Sequence, residues 1–288
     1  MRSCADAAPT AAGRDPEVGP ALPAWSEAFA SGSRGRRSRA GPFGALPRDE
    51  VFGDALGAGV VVAVVDSGVD ADHPAVRGRV SRRLRVDVDG DAVRVVDDDN
   101  AADLVGHGTA CAGIIAGIAP AAELVSIRVL GADNRGKGRA LAAAVDWAIR
   151  EGIAVVNLSL SSRSEAMFGA FHELADRAYF ANVLLVCAAN NVPGPSYPSL
   201  FAAVLSVAAH DVPDPNVWFY NPSPPVEFGA FGVDVDVPWR DGGRIRATGN
   251  SFAAPHLAGQ AARLRSRHPM ATPFEIKALL AATANPTP

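Results

Sequence analysis

Gly59-Val60-Val61-Val62-Ala63-Val64-Val65-Asp66-Ser67-Gly68 is the stretch on which the fold turns. A continuous β-branched run with no polar alternation reads as a strand buried on both faces, the condition of a parallel sheet covered by helices. The run ends in an acid and a glycine turn. Open α/β sheets place ligand and catalytic groups at the carboxyl ends of their strands, so Asp66 is a candidate functional residue. A helix cap or an ordinary turn aspartate is the plain alternative.

Working outward, similar apolar runs occupy 124–130, 154–160 and 183–188. Helical patterns fall between them, over 140–150 with Leu141, Ala144, Val145 and Ala148 as the apolar stripe, and around 165–180. Strand and helix alternate, which predicts an α/β fold: three layers, α/β/α, around a mainly parallel central sheet. Residues 80–100 read as a hairpin with an Asp89-Gly90 turn. The acidic Asp97-Asp98-Asp99-Asn100 lacks the spaced ligands of a calcium loop and reads as a solvated loop. Further strands are predicted over 204–208 and 233–237, and a closing helix pair over 251–267 and 273–282.

The 288 residues, 48% hydrophobic and 20% charged, suffice for one large α/β domain with a sizeable core, or two small ones. A net charge of −4 gives no reason to expect a nucleic-acid or membrane-surface partner. Cys4, Cys111 and Cys187 are widely spaced and form no metal-ligand motif; Cys111 and Cys187 sit in apolar surroundings and read as small core residues. Residues 1–48, rich in Ala, Pro, Gly, Ser and Arg, read as a flexible extension, with Ala24-Trp25-Ser26-Glu27-Ala28-Phe29 as a short docking segment within it. Residues 49–288 form the folded domain. No apolar signal region or membrane-length run is present, and the expectation is a cytoplasmic protein, or a secreted one if the true start lies upstream. The oligomeric state is not legible.

Two other stretches carry chemistry. In Gly106-His107-Gly108-Thr109 a histidine opens a small-residue helix, and flanking glycines permit close approach to the ring. In Gly249-Asn250-Ser251-Phe252-Ala253-Ala254-Pro255-His256 a serine stands at a helix start, where it serves either as a cap or as a nucleophile near the positive end of the helix dipole. Pro255 falls in what reads as the first turn, where no backbone N–H is missed.

Taken together and in this order, Val64-Val65-Asp66-Ser67-Gly68, Gly106-His107-Gly108-Thr109 and Gly249 to His256 resemble the subtilisin-like serine proteases, the subtilases, from about residue 51 to the end. The resemblance implies a serine endopeptidase with Asp66, His107 and Ser251 as its catalytic triad and an acyl-enzyme intermediate, acting on a protein or peptide, conceivably one precursor, without metal or cofactor. Leu185-Val186-Cys187-Ala188-Ala189-Asn190-Asn191 is similar to the strand that leads to the family's oxyanion-hole asparagine, which places that role at Asn191, with Asn190 in the usual glycine position. The choice between the two asparagines stays open at this point.

By the same resemblance the substrate lies between Asn134-Arg135-Gly136 and Ser159-Leu160-Ser161, with Ala188-Ala189-Asn190 walling the first specificity pocket. Gly138 replaces a bulkier family residue and would open a more distant pocket, while Arg135, Lys137 and Arg139 place positive charge beside the cleft. Tyr197-Pro198 matches a segment that commonly holds a cis proline. Residues 115–120 run on without the calcium-loop insertion of many subtilases, so no calcium site is expected there. The alternatives are a catalytically silent subtilase fold that binds peptides, and ester cleavage or peptide ligation on the same acyl-enzyme.

Overall fold

A computed structural model describes residues 22–31, 44–99, 103–223 and 225–286. Its strands are β1 (Val61–Asp66), β2 (Val80–Asp89), β3 (Ala92–Asp97), β4 (Glu123–Arg128), β5 (Val155–Leu158), β6 (Leu184–Ala188), β7 (Leu205–His210), β8 (Trp218–Tyr220), β9 (Phe228–Phe231), β10 (Val235–Pro238) and β11 (Arg244–Ala247). Its α-helices are α1 (Arg48–Phe52), α2 (His107–Ile118), α3 (Gly138–Arg150), α4 (Phe168–Phe180), α5 (Asn250–Arg267) and α6 (Pro273–Ala282).

Nine strands form one sheet in the order β3-β2-β4-β1-β5-β6-β7-β9-β8. The β2–β3 and β8–β9 pairs are antiparallel and every other pair is parallel. The β1 run alternates between two cores, as a strand covered on both faces must. Val62 and Val64 join Ile115 of α2 and Leu257 of α5 on one side. Ala63 and Val65 join Ala144 of α3 and Leu174 of α4 on the other. Removing each such valine from water stabilises the fold by roughly 1.5–3 kcal/mol. The outcome is the expected three-layer α/β/α arrangement.

Several details depart from the sequence reading. The short elements α1, β8, β9 and β11 are not anticipated by it, because runs of three to five residues carry too little hydrophobic period to read. The 233–237 strand is β10, which pairs antiparallel with β11 in a separate ribbon instead of joining the main sheet. The acidic run after β3 is not simply solvated. Asp98 is buried and ion-paired to Arg128 at 2.8 Å, because β4, one strand further across the sheet beyond β2, ends in that guanidinium. Asn100 lies outside the described residues. Pro255 sits beyond the free first turn of α5, a point taken up below.

The segment 22–31 packs on the domain. Phe29 is fully buried in a cluster with Ala189, Ala208, Phe219 and Val226, and Gly229 leaves room for it, since a Cβ there would come within 2.4 Å of the Phe29 ring. The Ser31 hydroxyl and amide donate to Asp211 Oδ1 at 2.8 and 3.0 Å. The rest of the Arg-rich run and the first 21 residues lie outside the described residues. Among the described residues no helix is long and apolar enough to cross a membrane.

Candidate active site

Asp66 ends β1 next to β4 and β5, in the middle of the sheet, and its side chain is fully buried. Both carboxylate oxygens face Nδ1 of His107, at 2.8 and 2.9 Å. That contact sets the imidazole tautomer, with Nδ1–H donating and Nε2 left as the base. Burial of the ring opposes its charge, but the Asp66 carboxylate outweighs burial and holds the His107 pKa well above 6.5.

The glycine before and after the histidine have separate reasons. Gly106 adopts φ 108°, a left-handed conformation that suits glycine. At Gly108 a Cβ would lie 1.9 Å from the Gly68 carbonyl oxygen and 3.1 Å from Asp66 Cβ. The helix start can approach the end of β1 only because that atom is missing.

A residue the sequence reading missed organises this approach. Asp103 is buried, and its carboxylate accepts from the Ser67 hydroxyl (2.7 Å), the amides of Val105, Gly106 and Thr109 (3.0, 2.7 and 2.7 Å) and the Thr109 hydroxyl (2.7 Å). It satisfies orphan donors at the α2 N-terminus and ties that end to the β1 turn. An acid shortly before Gly-His-Gly-Thr was the available signal.

Ser251 lies in the first turn of α5, where helix geometry leaves its backbone N–H without a carbonyl partner. A Cβ on Gly249 would sit 3.2 Å from Ser251 Oγ and 3.4 Å from Asn191 Nδ2, so the hydroxyl and that amide group flank one point. Asn191 Oδ1 accepts the Asn250 backbone N–H at 2.8 Å, which leaves Nδ2 free to donate. Asn190 instead turns its Oδ1 to the Val192 amide at 2.9 Å. Of the two asparagines, the geometry favours Asn191 as the donor.

Ser251 Oγ makes no hydrogen bond to His107 in this structure. The two residues are connected instead through their neighbours. The Phe252 ring lies 5.2 Å from the His107 ring. The Cys111 thiol sits 3.9 Å from Nδ1 and donates to the Ser251 carbonyl at 3.6 Å. Burial, opposed in part by His107, raises the Cys111 pKa above 9.0, so it remains a thiol near neutrality. Cys111 and Cys187 are both free and buried, as small core residues.

Pro255 explains a second contact. A proline has no N–H, so the Ser251 carbonyl loses the donor that residue 255 would supply in an α-helix. Ser159 fills the gap, its hydroxyl donating to the Ser251 carbonyl at 2.8 Å while accepting from Asn157 Nδ2 at 3.0 Å. The sequence reading put Pro255 where no amide is missed; the first four N–H groups of a helix are the ones without a carbonyl partner, and Pro255 lies beyond them in α5, so its amide is missed.

Ser159, Leu160, Ser161, Ala188, Ala189, Asn190, Asn191 and Ser251 share one pocket of about 190 Å³. Arg135 and Gly136 line a second cleft that meets it at Leu160, Ser161 and Asn190. Asn134 lines neither; it is exposed in a turn at φ 57°. The space beside Gly138 is not open, because Met167 Cγ lies 2.9 Å from where its Cβ would be. The Tyr197-Pro198 bond is cis. His256 Nδ1–H donates to the Phe252 carbonyl, 2.8 Å away, inside α5, and the ring is a packed helix residue.

Among the described residues, Asp66, His107 and Cys111 are the one group whose ligand-type atoms lie within 4.8 Å of each other. A soft metal ion there would occupy the imidazole and remove the base. The helix α2 runs without interruption from His107 to Ile118, with no inserted loop of oxygen ligands.

Comparison with known proteins agrees with this architecture. Residues 57–288 match the subtilase family. A thermostable alkaline protease from Halalkalibacterium halodurans is 34% identical over 241 residues, covering 80% of this chain and 63% of its own. Subtilisin BL from Lederbergia lenta is 33% identical over 239 residues, covering 79% of this chain and 84% of its own. Neither name lends support to the expected cytoplasmic location. Among solved structures, the S41 psychrophilic protease superposes with a TM-score of 0.67 at 27% identity, covering 83% of this chain and 89% of its own. A buried strand-end acid gripping a helix-start histidine, in a chain that matches the family over nearly its whole folded length, leaves one conclusion: the chain belongs to the subtilase family of serine-type endopeptidases.

Proposed function

We propose that the protein hydrolyses peptide bonds in protein or peptide chains through Asp66, His107 and Ser251, with Asn191 as the oxyanion donor. The observation that supports this most is the double contact of the Asp66 carboxylate with His107 Nδ1, at 2.8 and 2.9 Å. His107 Nε2 takes the proton of the Ser251 hydroxyl as Oγ attacks the scissile carbonyl. The carbonyl oxygen gains negative charge and is met by Asn191 Nδ2 and the Ser251 backbone N–H. His107 then gives the proton to the leaving amine, the amine departs, and an acyl-enzyme ester remains. Water, deprotonated by His107, attacks that ester and frees the acid and the serine.

Ser251 and His107 are not hydrogen-bonded to each other, and a silent, peptide-binding reading would rest on that observation. Unliganded sites commonly close this contact only around substrate. Treatment with a fluorophosphonate probe separates the two readings. Wild type is expected to label and Ser251→Ala is not; an unlabelled wild type would remove the peptidase reading. Digestion of denatured casein by the wild type would exclude restriction to a single precursor peptide.

A further inference from the structure

We infer that the cleft beside the nucleophile is a cationic subsite that selects acidic side chains in the peptide, with Arg135, Lys137 and Arg163 as its specificity-determining residues. The inference rests on the peptidase reading for the presence of a peptide there, and it names the chemistry of that peptide.

The cleft measures about 860 Å³ and opens into the Ser251 pocket through Leu160, Ser161 and Asn190. A chain seated at Ser251 therefore continues into it. Its floor is apolar, built from Val129 and Leu141, both buried. Its rim is positive on two opposed walls. Arg135 and Lys137 come from the loop between β4 and α3, and Arg163 comes from the loop between β5 and α4.

What marks these three cations is that they line one cleft together and none is neutralised by an ion pair there. Other described arginines are paired, as Arg128 is to Asp98 and Arg244 to Asp236, or stand unpaired away from this cleft, as Arg79, Arg83 and Arg94 do. Arg139, which the sequence also placed at this cleft, turns to Asp91 at 3.7 Å and leaves the group. Among the described residues Arg135, Lys137 and Arg163 have no carboxylate partner. The acids nearest them in sequence are Asp133, whose Oδ1 accepts the Arg135 backbone amide at 3.1 Å, and Glu165, two residues after Arg163, which forms no ion pair with it. Arg163, by contrast, stands over Gly194, 3.6 Å from where a Cβ would be.

A cleft lined by one sign of charge over an apolar floor concentrates its field on whatever enters. A glutamate or aspartate in the bound strand would meet guanidinium groups from both walls, whereas lysine would meet like charge. Each partner is solvent-exposed, so the gain per pair is modest, about two- to fivefold, and falls with added salt.

Binding to the full-length Ser251→Ala protein tests this without depending on turnover. The probes are fluorescein-labelled decapeptides of extended sequence, carrying Glu or Gln in turn at each of the positions preceding the intended scissile bond. At about 50 mM salt the best Glu peptide is expected to bind roughly tenfold tighter than its Gln twin, with the advantage shrinking at about 300 mM. Combining Arg135→Ala, Lys137→Ala and Arg163→Ala is expected to abolish the advantage of the Glu peptide over its Gln twin. Equal affinity for Glu and Gln peptides at every position, or an advantage that survives the triple variant, would overturn the proposal. Circular dichroism and urea unfolding of the triple variant check that it is folded, so that a lost advantage is not a lost fold. Absence of fluorophosphonate labelling in the wild type would sink the peptidase reading while the binding result still decides the subsite.

Discussion

The backbone N–H of Asn250 donates to Oδ1 of Asn191 at 2.8 Å, and this contact turns the Asn191 Nδ2 toward the point it shares with Ser251 Oγ. The Asn250 side chain then anchors the same region from behind. Its Oδ1 accepts the Ala209 amide at 2.8 Å, and its Nδ2 donates to the carbonyls of Ala24 and Ala189 at 3.0 and 3.2 Å. One fully buried residue therefore connects the loop after β6, the sheet and the N-terminal segment.

Asn191→Ala is expected to lower kcat by about 10²–10³ with a smaller effect on KM, because the lost donor acts on charge that develops only in the transition state. Asn190→Ala, which removes only a local turn contact, is expected to change kcat by less than about threefold. Steady-state kinetics on one peptide substrate compares them directly. Equal losses would mean that both asparagines face the oxyanion.

The N-terminal segment contributes to stability through Phe29 and Asn250. Phe29→Ala is expected to cost about 3–5 kcal/mol, since the buried ring leaves a cavity in a packed cluster. Asn250→Ala strands an amide and two carbonyls and is expected to cost about 2–4 kcal/mol. Urea unfolding reads both. A Phe29→Ala loss under about 1 kcal/mol would show that the segment is not part of the cooperative unit.

The raised His107 pKa predicts the acid side of the pH profile. Catalysis needs the neutral imidazole, so kcat/KM is expected to fall as pH drops through a value above 6.5. Asp66→Asn removes the charge that holds the pKa up, moving that limb to lower pH while kcat falls by about 10⁴. The stability linkage has the opposite sense. Stabilisation from the protonated pair is present below the ordinary histidine pKa and is lost as pH rises through the raised folded value. An unchanged acid limb in the variant would contradict the assignment.

His256 works the other way. Burial holds its pKa down at about 4, against the small opposing effect of its bond to the Phe252 carbonyl. The unfolded chain therefore binds a proton that the folded one refuses between about pH 6.5 and 4. Stability is expected to fall across that window as pH drops, by up to about 3 kcal/mol from this ring. His256→Phe, compared with wild type by urea unfolding at both ends of the window, should show a correspondingly shallower acid dependence.

Ser159 and Pro255 are predicted to be coupled. Ser159→Ala leaves the Ser251 carbonyl with only the Cys111 thiol and is expected to cost about 1–3 kcal/mol. Pro255→Ala restores a helix amide aimed at that carbonyl, so the same serine change should cost less in its presence. A double-mutant cycle on unfolding free energy measures the coupling. Strict additivity would show that the two residues do not share the Ser251 carbonyl.

Much of the site was legible because its signals are local. The valine run, its terminal Asp66, the glycines around His107 and the serine at a helix start each announce themselves within a few residues. Gly108 in particular was readable as a point of close approach, and the Gly68 carbonyl is what approaches it. Asp103 and Asp98 were not readable. A carboxylate's role depends on which donors the fold brings to it, and for Asp98 the donor is Arg128 on the far side of a strand crossover.

By itself the sequence determined the longer strands and helices that alternate through the domain and the two-faced burial of β1, since hydrophobic period and backbone preference act over one or two turns of chain. Only the tertiary structure decided which of Asn190 and Asn191 is aimed at Ser251, that Ser159 rather than a helix amide serves the Ser251 carbonyl, and that Ala24–Phe29 belongs to the fold. Those outcomes depend on hydrogen bonds between residues 59, 92 and 226 positions apart. A buried donor or acceptor must find its partner wherever packing has brought one, and no local pattern records that distance.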